Sequence, residues 1–322
     1  MKSFPKWIPK QWVNNPPQNI LFRTDAGTEQ GLSYGHLFRC IVIAEFARKF
    51  WNTHITFLTC SDSRALEYIE QYEFNIKQID NSHNEISTVV DLTPFDWVVI
   101  DIPYPSYPLS TQCSQLAQSG KRIFLIDDVK IFTPSNISVY HNSGVLANSL
   151  ICRHDSQIEY QIGPDYFIGN LPPPKVTRST GQPPKNILVT FGGSDPSGLT
   201  LMVSIALKEY FSNFPGLFTI ITGPGYNEYD KLVPQVESTP NQQLVDNPNN
   251  LYSHMLRSDL VICAGGRTLY EVYKLNLEVF AIASIEHEAR VIEHFAEQGI
   301  LKYFQLKWNE NEFRKIFTLA IG

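Results

Sequence analysis

The strongest constraint in this sequence is a pattern that occurs twice. Short apolar, β-branched runs alternate with segments of helical periodicity, and the alternation is interrupted once, at Gly169–Lys185 (GNLPPPKVTRSTGQPPK), by five prolines and two glycines. Nearly continuous apolar runs such as Trp97–Asp101 and Arg122–Ile126 read as strands buried on both faces, the environment of a parallel sheet wrapped by helices. Parallel neighbours need crossover connections, and intervening helices supply them. The proline-rich stretch favours extended chain and breaks helices. The expectation is an α/β chain: an N-terminal extension over 1–18, Rossmann-like domains over 19–168 and 186–322, and a linker over 169–185. A length of 322 residues is too great for one ordinary core and suits two.

In the first block, strands are expected at Ile20–Arg23, His54–Cys60, Trp97–Asp101 and Arg122–Ile126. A helix starts near Gly35, with Leu37, Ile41, Ala44 and Ala47 on one face and Arg39, Glu45 and Arg48 set apart. A second helix covers Ser61–Tyr72, capped by Ser61 or Asp62. In the other block, strands are expected at Ile187–Phe191, Phe218–Thr222, Leu260–Cys263 and Val279–Ile282, and helices at Gly198–Tyr210 and Thr268–Leu275.

Composition narrows the partners. The formal net charge is −6 and no dense Lys/Arg cluster occurs, so nucleic acid is not an expected partner. A single phosphate ligand remains compatible, because N–H groups at helix starts hold anions without basic side chains. The five cysteines are widely spaced, with no C-x-x-C and no zinc spacing, which reads as buried thiols in a reducing compartment. Met1–Gln18 lacks the apolar core of a signal peptide, and no apolar run reaches the ~18 residues of a transmembrane helix. A cytoplasmic protein without a transmembrane segment is expected. Nothing in the sequence reports oligomeric state.

Ligands of open parallel sheets sit at the carboxyl ends of strands, where helices begin. Three such places carry chemistry. Arg23–Cys40 ends a strand, passes through a glycine-containing loop and puts His36 at a helix start, where it can act as general base, bind a phosphate, or simply cap or pack. Thr190–Thr200 (TFGGSDPSGLT) ends a strand in two glycines, and the helix is expected to start near Pro196 behind Ser194 or Asp195 as N-cap. Gly193 and Ser194 then face an anion at the helix dipole; an ordinary capped turn is the alternative. Cys263–Glu271 (CAGGRTLYE) repeats the arrangement: Gly266, Arg267 and Thr268 offer phosphate donors, and Glu271 suits two ribose hydroxyls. A capping box of Thr268 with Glu271 is the competing reading. Glu286, His287, Glu288, His294 and Glu297 invite a metal reading, but no HExxH occurs; no metal and no cofactor are expected, and a sugar-facing or solvated helix is preferred.

The residues RTDAG at 23–27, YGHLFRC at 34–40, IDD at 126–128, LVTFGGSDPSGLT at 188–200 and SDLVICAGGRTLYE at 258–271 together resemble the UDP-sugar hydrolase of the pseudaminic acid pathway, over nearly the whole chain from Ile20. That family looks like the GT-B glycosyltransferases. The resemblance implies two Rossmann-like domains with parallel sheets facing a central cleft, UDP held mainly by the C-terminal domain, and water attack at the anomeric carbon of a UDP-amino-sugar. It assigns the base to His36, the phosphate turn to Gly193 and Ser194, the second turn to Gly266, Arg267 and Thr268, and the ribose carboxylate to Glu271. On the sugar side it points to Asp25, Gly35, Tyr104, Glu286 and His287. The chain departs from the family at Asp101-Ile102-Pro103-Tyr104, where the family has Asp-His-Tyr, and at Glu286-His287-Glu288, where it has Asn-Gln. A GT-B glycosyltransferase using a UDP-sugar donor, and a non-catalytic nucleotide-sugar binder, are the alternatives to hydrolysis.

Overall fold

The computed structural model describes residues 4–27, 34–81, 83–102, 107–126, 137–143, 157–171, 183–248 and 250–322. The chain divides into two compact units, Met1–Asn170 and Leu171–Gly322, each built on one sheet.

Unit 1 contains β1 (Asn19–Thr24), β2 (His54–Thr59), β3 (Asn75–Gln78), β4 (Trp97–Asp101), β5 (Arg122–Ile126), β6 (Val139–Asn142) and β7 (Glu159–Ile162). Its helices are α1 (Lys10–Asn14), α2 (Tyr34–Trp51), α3 (Ser63–Glu70), α4 (Ile86–Val89) and α5 (Leu109–Gln118). The sheet order is β3-β2-β1-β4-β5-β6-β7, with parallel pairing throughout. The strand alternation explains why these runs are apolar at every position: Ile20, Phe22, Trp97, Val99 and Phe124 pack on one face, while Leu21, Val98, Ile100, Ile123 and Leu125 pack on the other. Helix α3 starts behind Asp62, whose carboxylate accepts from the Ala65 N–H. Ser61 instead accepts from the Ala26 N–H through its hydroxyl.

The N-terminal segment is not an appendage. Trp7, Ile8 and Trp12 belong to the core beneath α2, and the Trp12 ring meets Trp97, Phe124 and Trp51 edge-on at 5.5, 5.8 and 6.2 Å. Its prolines and lysines obscured this in the sequence. The Lys10 N–H donates to the Glu159 carboxylate at the start of β7, which ties α1 to the far edge of the sheet.

Unit 2 contains β8 (Asn186–Thr190), α6 (Leu199–Phe211), β9 (Leu217–Thr222), α7 (Tyr229–Glu237), β10 (Gln242–Asp246), α8 (Leu251–Arg257), β11 (Leu260–Cys263), α9 (Arg267–Lys274), β12 (Glu278–Ile282), α10 (Glu286–Glu297), β13 (Tyr303–Gln305) and α11 (Glu310–Ile321). Its order, β10-β9-β8-β11-β12-β13, is again all parallel. Both sheets therefore reverse their strand order once, between β1 and β4 and between β8 and β11, and these are the places where such sheets take ligands. The two units also share an anchor at the opposite edge: Asp96 accepts from the N–H groups of Gln18 and Asn19, and Asp259 from those of Lys185 and Asn186. Among the described residues no helix is long and apolar enough to cross a membrane.

Replacing Trp12 with alanine is expected to cost unit 1 about 3–5 kcal/mol, the range for emptying a buried aromatic site. A urea unfolding transition of unit 1 unmoved by the substitution contradicts this packing.

Candidate functional site

At the strand reversal of unit 1, Thr24 and Asp101 are paired neighbours at the carboxyl ends of β1 and β4. Helix α2 begins above them, and positions three apart on one helix face bring His36 and Arg39 to the same carboxylate. The Asp101 Oδ1 lies 2.6 Å from His36 Nδ1 and 2.8 Å from an Arg39 terminal nitrogen; Oδ2 accepts from Arg39 Nε at 2.7 Å. Asp101 is 1% exposed. Burial alone would push its carboxyl up, but the Arg39 guanidinium and then His36 outweigh burial and hold it below the usual range. An ionised carboxylate 2.6 Å away can only accept, so it orients the ring through Nδ1, which also lies 3.0 Å from an Arg39 terminal nitrogen. The imidazole is one-fifth exposed. The sequence reading set Arg39 apart from the core. The structure buries it, because a buried carboxylate requires a cation.

Asp25 does not face a ligand. It is fully buried, its two oxygens accept from the two terminal nitrogens of the equally buried Arg23 at 2.5 and 2.9 Å, and Oδ1 also accepts from the Cys60 N–H at 2.6 Å. Its sugar-side assignment is therefore corrected: Asp25 joins the ends of β1 and β2. Gly35 is half-buried in the first turn of α2. Tyr104, and Asp127 and Asp128 of the IDD segment, lie outside the described residues.

In unit 2 the two glycine turns flank the strand reversal, where Thr190 and Cys263 are neighbours. They differ in how their helices start. After β8 the helix begins at Leu199, not near Pro196, behind Gly198 in the left-handed region at φ 66°. Asp195, itself at φ 43°, reaches past it. Its carboxylate accepts from the N–H groups of Leu199 at 3.0 Å and Thr200 at 2.7 Å. Burial pushes the Asp195 carboxyl up, against these hydrogen bonds. The first N–H groups of α6, those of Leu199 and Thr200, are therefore satisfied by the chain itself, while the loop at Gly192, Gly193 and Ser194 is half-buried. That loop is held by the β9 turn: the Gly225 N–H donates to the Gly193 carbonyl at 2.7 Å, and a side chain at Gly223 would collide with the backbone of Gly192 and Gly193.

After β11, helix α9 begins at Arg267 behind Gly266, with no side-chain cap and no acidic residue in its first turn. This start, with Thr268 in it, has no side-chain acceptor for its first N–H groups, the kind of helix end that favours an anion. Glu271 is not part of a capping box. Its Oε1 accepts from Arg267 Nε at 2.9 Å and from the Tyr252 hydroxyl at 3.0 Å, because Thr268 is already inside the helix and Arg267 stands four residues before Glu271. Arg267 consequently leans along α9 with its Nε committed to Glu271. Glu286 is exposed and paired with Arg290, a contact worth little in water, and His287 is half-buried beside it. Among the described residues no group of three or more His, Cys, Asp or Glu gathers as metal ligands.

Glu288, expected in a sugar-facing or solvated helix, packs against this turn. A β-carbon added at Gly266 would lie 2.9 Å from its Oε1, one at Gly265 would meet its backbone oxygen at 2.5 Å, and its Oε2 accepts from the Ser284 N–H at 2.9 Å. The residue as a whole is half-buried while its carboxylate lies between the Gly266 turn and the Ser284 backbone. Burial pushes its carboxyl up to about 7, against the Ser284 and Ile285 N–H groups and helped by the Asp195 charge. The signal available in the sequence was a glutamate in the first turn of the helix after the next strand.

No family model matches the chain. It is 26% identical over 286 residues to the spore coat polysaccharide biosynthesis protein SpsG of Bacillus subtilis, covering 85% of this chain and 80% of that one. It is 24% identical over 290 residues to an uncharacterised protein of Methanocaldococcus jannaschii, covering 87% of this chain but only 58% of the relative's length. Among solved structures it resembles Acinetobacter baumannii MurG, with a TM-score of 0.63 at 15% identity over 95% of this chain and 91% of that one. It also resembles S. aureus MnaA in its UDP co-structure, with a TM-score of 0.59 at 11% identity over 94% and 88%. The fold is thus GT-B glycosyltransferase-like, two parallel sheets of seven and six strands in an α/β arrangement.

A raised carboxyl in the folded state costs stability as pH rises from the unfolded value near 4.5 through about 7. Glu288→Gln is therefore expected to match the wild type near pH 4.5 and to be more stable above pH 7, by at most about 3 kcal/mol. Chemical denaturation that shows the same difference at both pH values refutes the assignment.

Proposed function

We propose that the protein is an enzyme of glycan biosynthesis acting on a UDP-sugar, as a GT-B-type glycosyltransferase that uses the UDP-sugar as donor. Unit 2 holds the diphosphate at the uncapped start of α9 with the Gly193–Ser194 loop beside it, and Glu271 takes the ribose. His36 of unit 1 is the general base. The observation that carries the reading is the His36–Asp101–Arg39 arrangement at a strand reversal: a partly exposed histidine whose Nδ1 is pinned by a buried, charge-balanced carboxylate. Support comes also from the polysaccharide role in the SpsG name and from the UDP of the MnaA structure.

In the reaction, Nε2 takes the proton of the attacking hydroxyl as its oxygen bonds to the anomeric carbon. The bond from that carbon to the diphosphate breaks, and UDP departs with the electron pair, received by the N–H groups and dipole of α9. With water in place of a sugar hydroxyl, the same steps hydrolyse the donor. This second reading, release of UDP and a free amino sugar, is favoured by the hydrolase-like segments Leu188–Thr200 and Ser258–Glu271. A non-catalytic binder has no use for an oriented base.

The test is NMR of the purified chain with a panel of UDP-amino-sugars, with and without glycan acceptors. UDP with a new glycoside identifies transfer, and UDP with free sugar identifies hydrolysis. Binding without either product overturns the enzymatic reading. His36→Ala is expected to lower turnover by roughly 10²–10⁴, the usual contribution of a general base; unchanged turnover removes His36 from that role.

A further inference from the structure

The carboxyl edge of unit 2 presents a contradiction between charge and place. The start of α9 has no side-chain cap, yet the Glu288 carboxylate stands directly against it, with Oε1 2.9 Å from where a Gly266 β-carbon would lie and Oε2 on the Ser284 N–H. The groups facing Glu288 give it no counter-charge. They are the backbone N–H groups of Ser284 and Ile285, the Asp195 carboxylate from the turn after β8, and the Cys263 thiol at the end of β11, itself pushed well up by burial and by Glu288. Among the described residues no cation pairs with Glu288. The neighbouring turns also keep buried hydroxyls without a partner: the Ser284 Oγ next to Glu288, and the Oη of Tyr226, which feels the charges of Asp195 and Glu228. Glu228 closes the same edge, since a β-carbon at Gly198 would meet its carboxylate at 2.8 Å. Buried polar groups in native folds are satisfied, so the orphan Ser284 hydroxyl beside Glu288, with the Tyr226 hydroxyl at the turn after β9, points to a ligand on this edge that completes it.

We propose that Glu288 is a ligand-facing residue of this turn, and that unit 2 takes up one proton from solvent onto the Glu288 carboxylate when the diphosphate of a nucleotide binds at the start of α9. This rests on the nucleotide reading of unit 2 given above. The physical reason is short-range. A diphosphate and a carboxylate brought to the same desolvated turn repel strongly, whereas the protonated carboxyl donates an O–H to a phosphate oxygen, among the strong classes of hydrogen bond. The site would then bind its nucleotide more tightly as pH falls through neutrality, opposite to a lysine- or histidine-free anion site held by backbone alone, which is indifferent to pH in this range.

The experiment is isothermal titration of the full chain with UDP at about pH 8, in two buffers of different ionisation heat, so that protons taken up per UDP bound are counted. At that pH the terminal phosphate of UDP, with its second pKa near 6, is already ionised. The wild type is expected to take up close to one proton per UDP. Glu288→Gln, which keeps an acceptor for the Ser284 N–H, is expected to bind without that uptake and up to about tenfold more tightly at pH 8. Equal uptake by both proteins overturns the role of Glu288 and leaves the nucleotide reading standing. Failure of both to bind UDP at any pH overturns the two together. Should the variant not fold, the wild type alone decides: affinity falling by about tenfold per pH unit above 7 supports the proposal, and a flat profile with no proton uptake ends it.

Discussion

The carboxylate of Asp101 is the constraint on which unit 1 is arranged. A charge this deeply buried persists only with a partner and with its lone pairs satisfied. Arg39 supplies both, through two nitrogens, and the remaining approach to Oδ1 is taken by His36 Nδ1. The register of the sheet sets this up before any side chain acts: the end of β4 lies beside the end of β1, and α2 rises from the loop after β1. Because Arg39 balances the charge, what Asp101 contributes to His36 is chiefly direction. The ring is held in one orientation by its Nδ1 contact.

Unit 2 uses the same topology and resolves the same two helix starts differently. Both α6 and α9 follow glycine turns at the reversal point. In α6 the chain supplies its own anion, the Asp195 carboxylate, and the strain of a non-glycine residue at positive φ is offset by two charge-assisted hydrogen bonds. In α9 no side chain caps that place. A motif-level view treats the two turns as equivalent, and only the caps tell them apart: one is closed by a side chain of the chain itself and the other is not.

That distinction marks where the sequence stopped being legible. The central strands, with both faces apolar, were readable to within a residue at Trp97–Asp101, Arg122–Ile126 and Leu260–Cys263, because burial on two sides leaves no polar position to blur them. Val139–Asn142 and Glu159–Ile162 were not: toward the sheet edge, polar residues such as His141 and Gln161 pack inward, and the apolar signal fades. The glycine turns and His36 were visible as strand-to-helix punctuation. The partners that give them meaning were not, since Asp101 lies 65 residues from His36, and Glu288 meets Gly266 only after β12 has returned the chain to the same edge. Asp25 misled for the complementary reason. A carboxylate at a strand end looks like a ligand group until a buried arginine two residues earlier is seen to claim it.

The formal charge of −6 acquires a local meaning here. Anion sites are commonly built from arginine and lysine, but in unit 2 the one arginine at the turn commits its Nε to Glu271, and Asp195, Glu228 and Glu288 line the neighbouring turns. On the proposed reading, what remains to attract a phosphate is backbone: the uncapped start of α9, the loop at Gly193 and Ser194, and the helix dipole behind them. Such a site depends on close approach. Its glycines are needed because main-chain donors must reach the ligand directly, and the space at Gly223, Gly265 and Gly266 is already filled by neighbouring backbone or by Glu288. An acidic protein can therefore hold a nucleotide without a basic surface, provided the carboxylates around the turn are capped, paired or protonated. In this structure Asp195 caps α6, Glu228 is paired with Lys231, and Glu288 has no cation paired with it among the described residues, holding instead the Ser284 N–H.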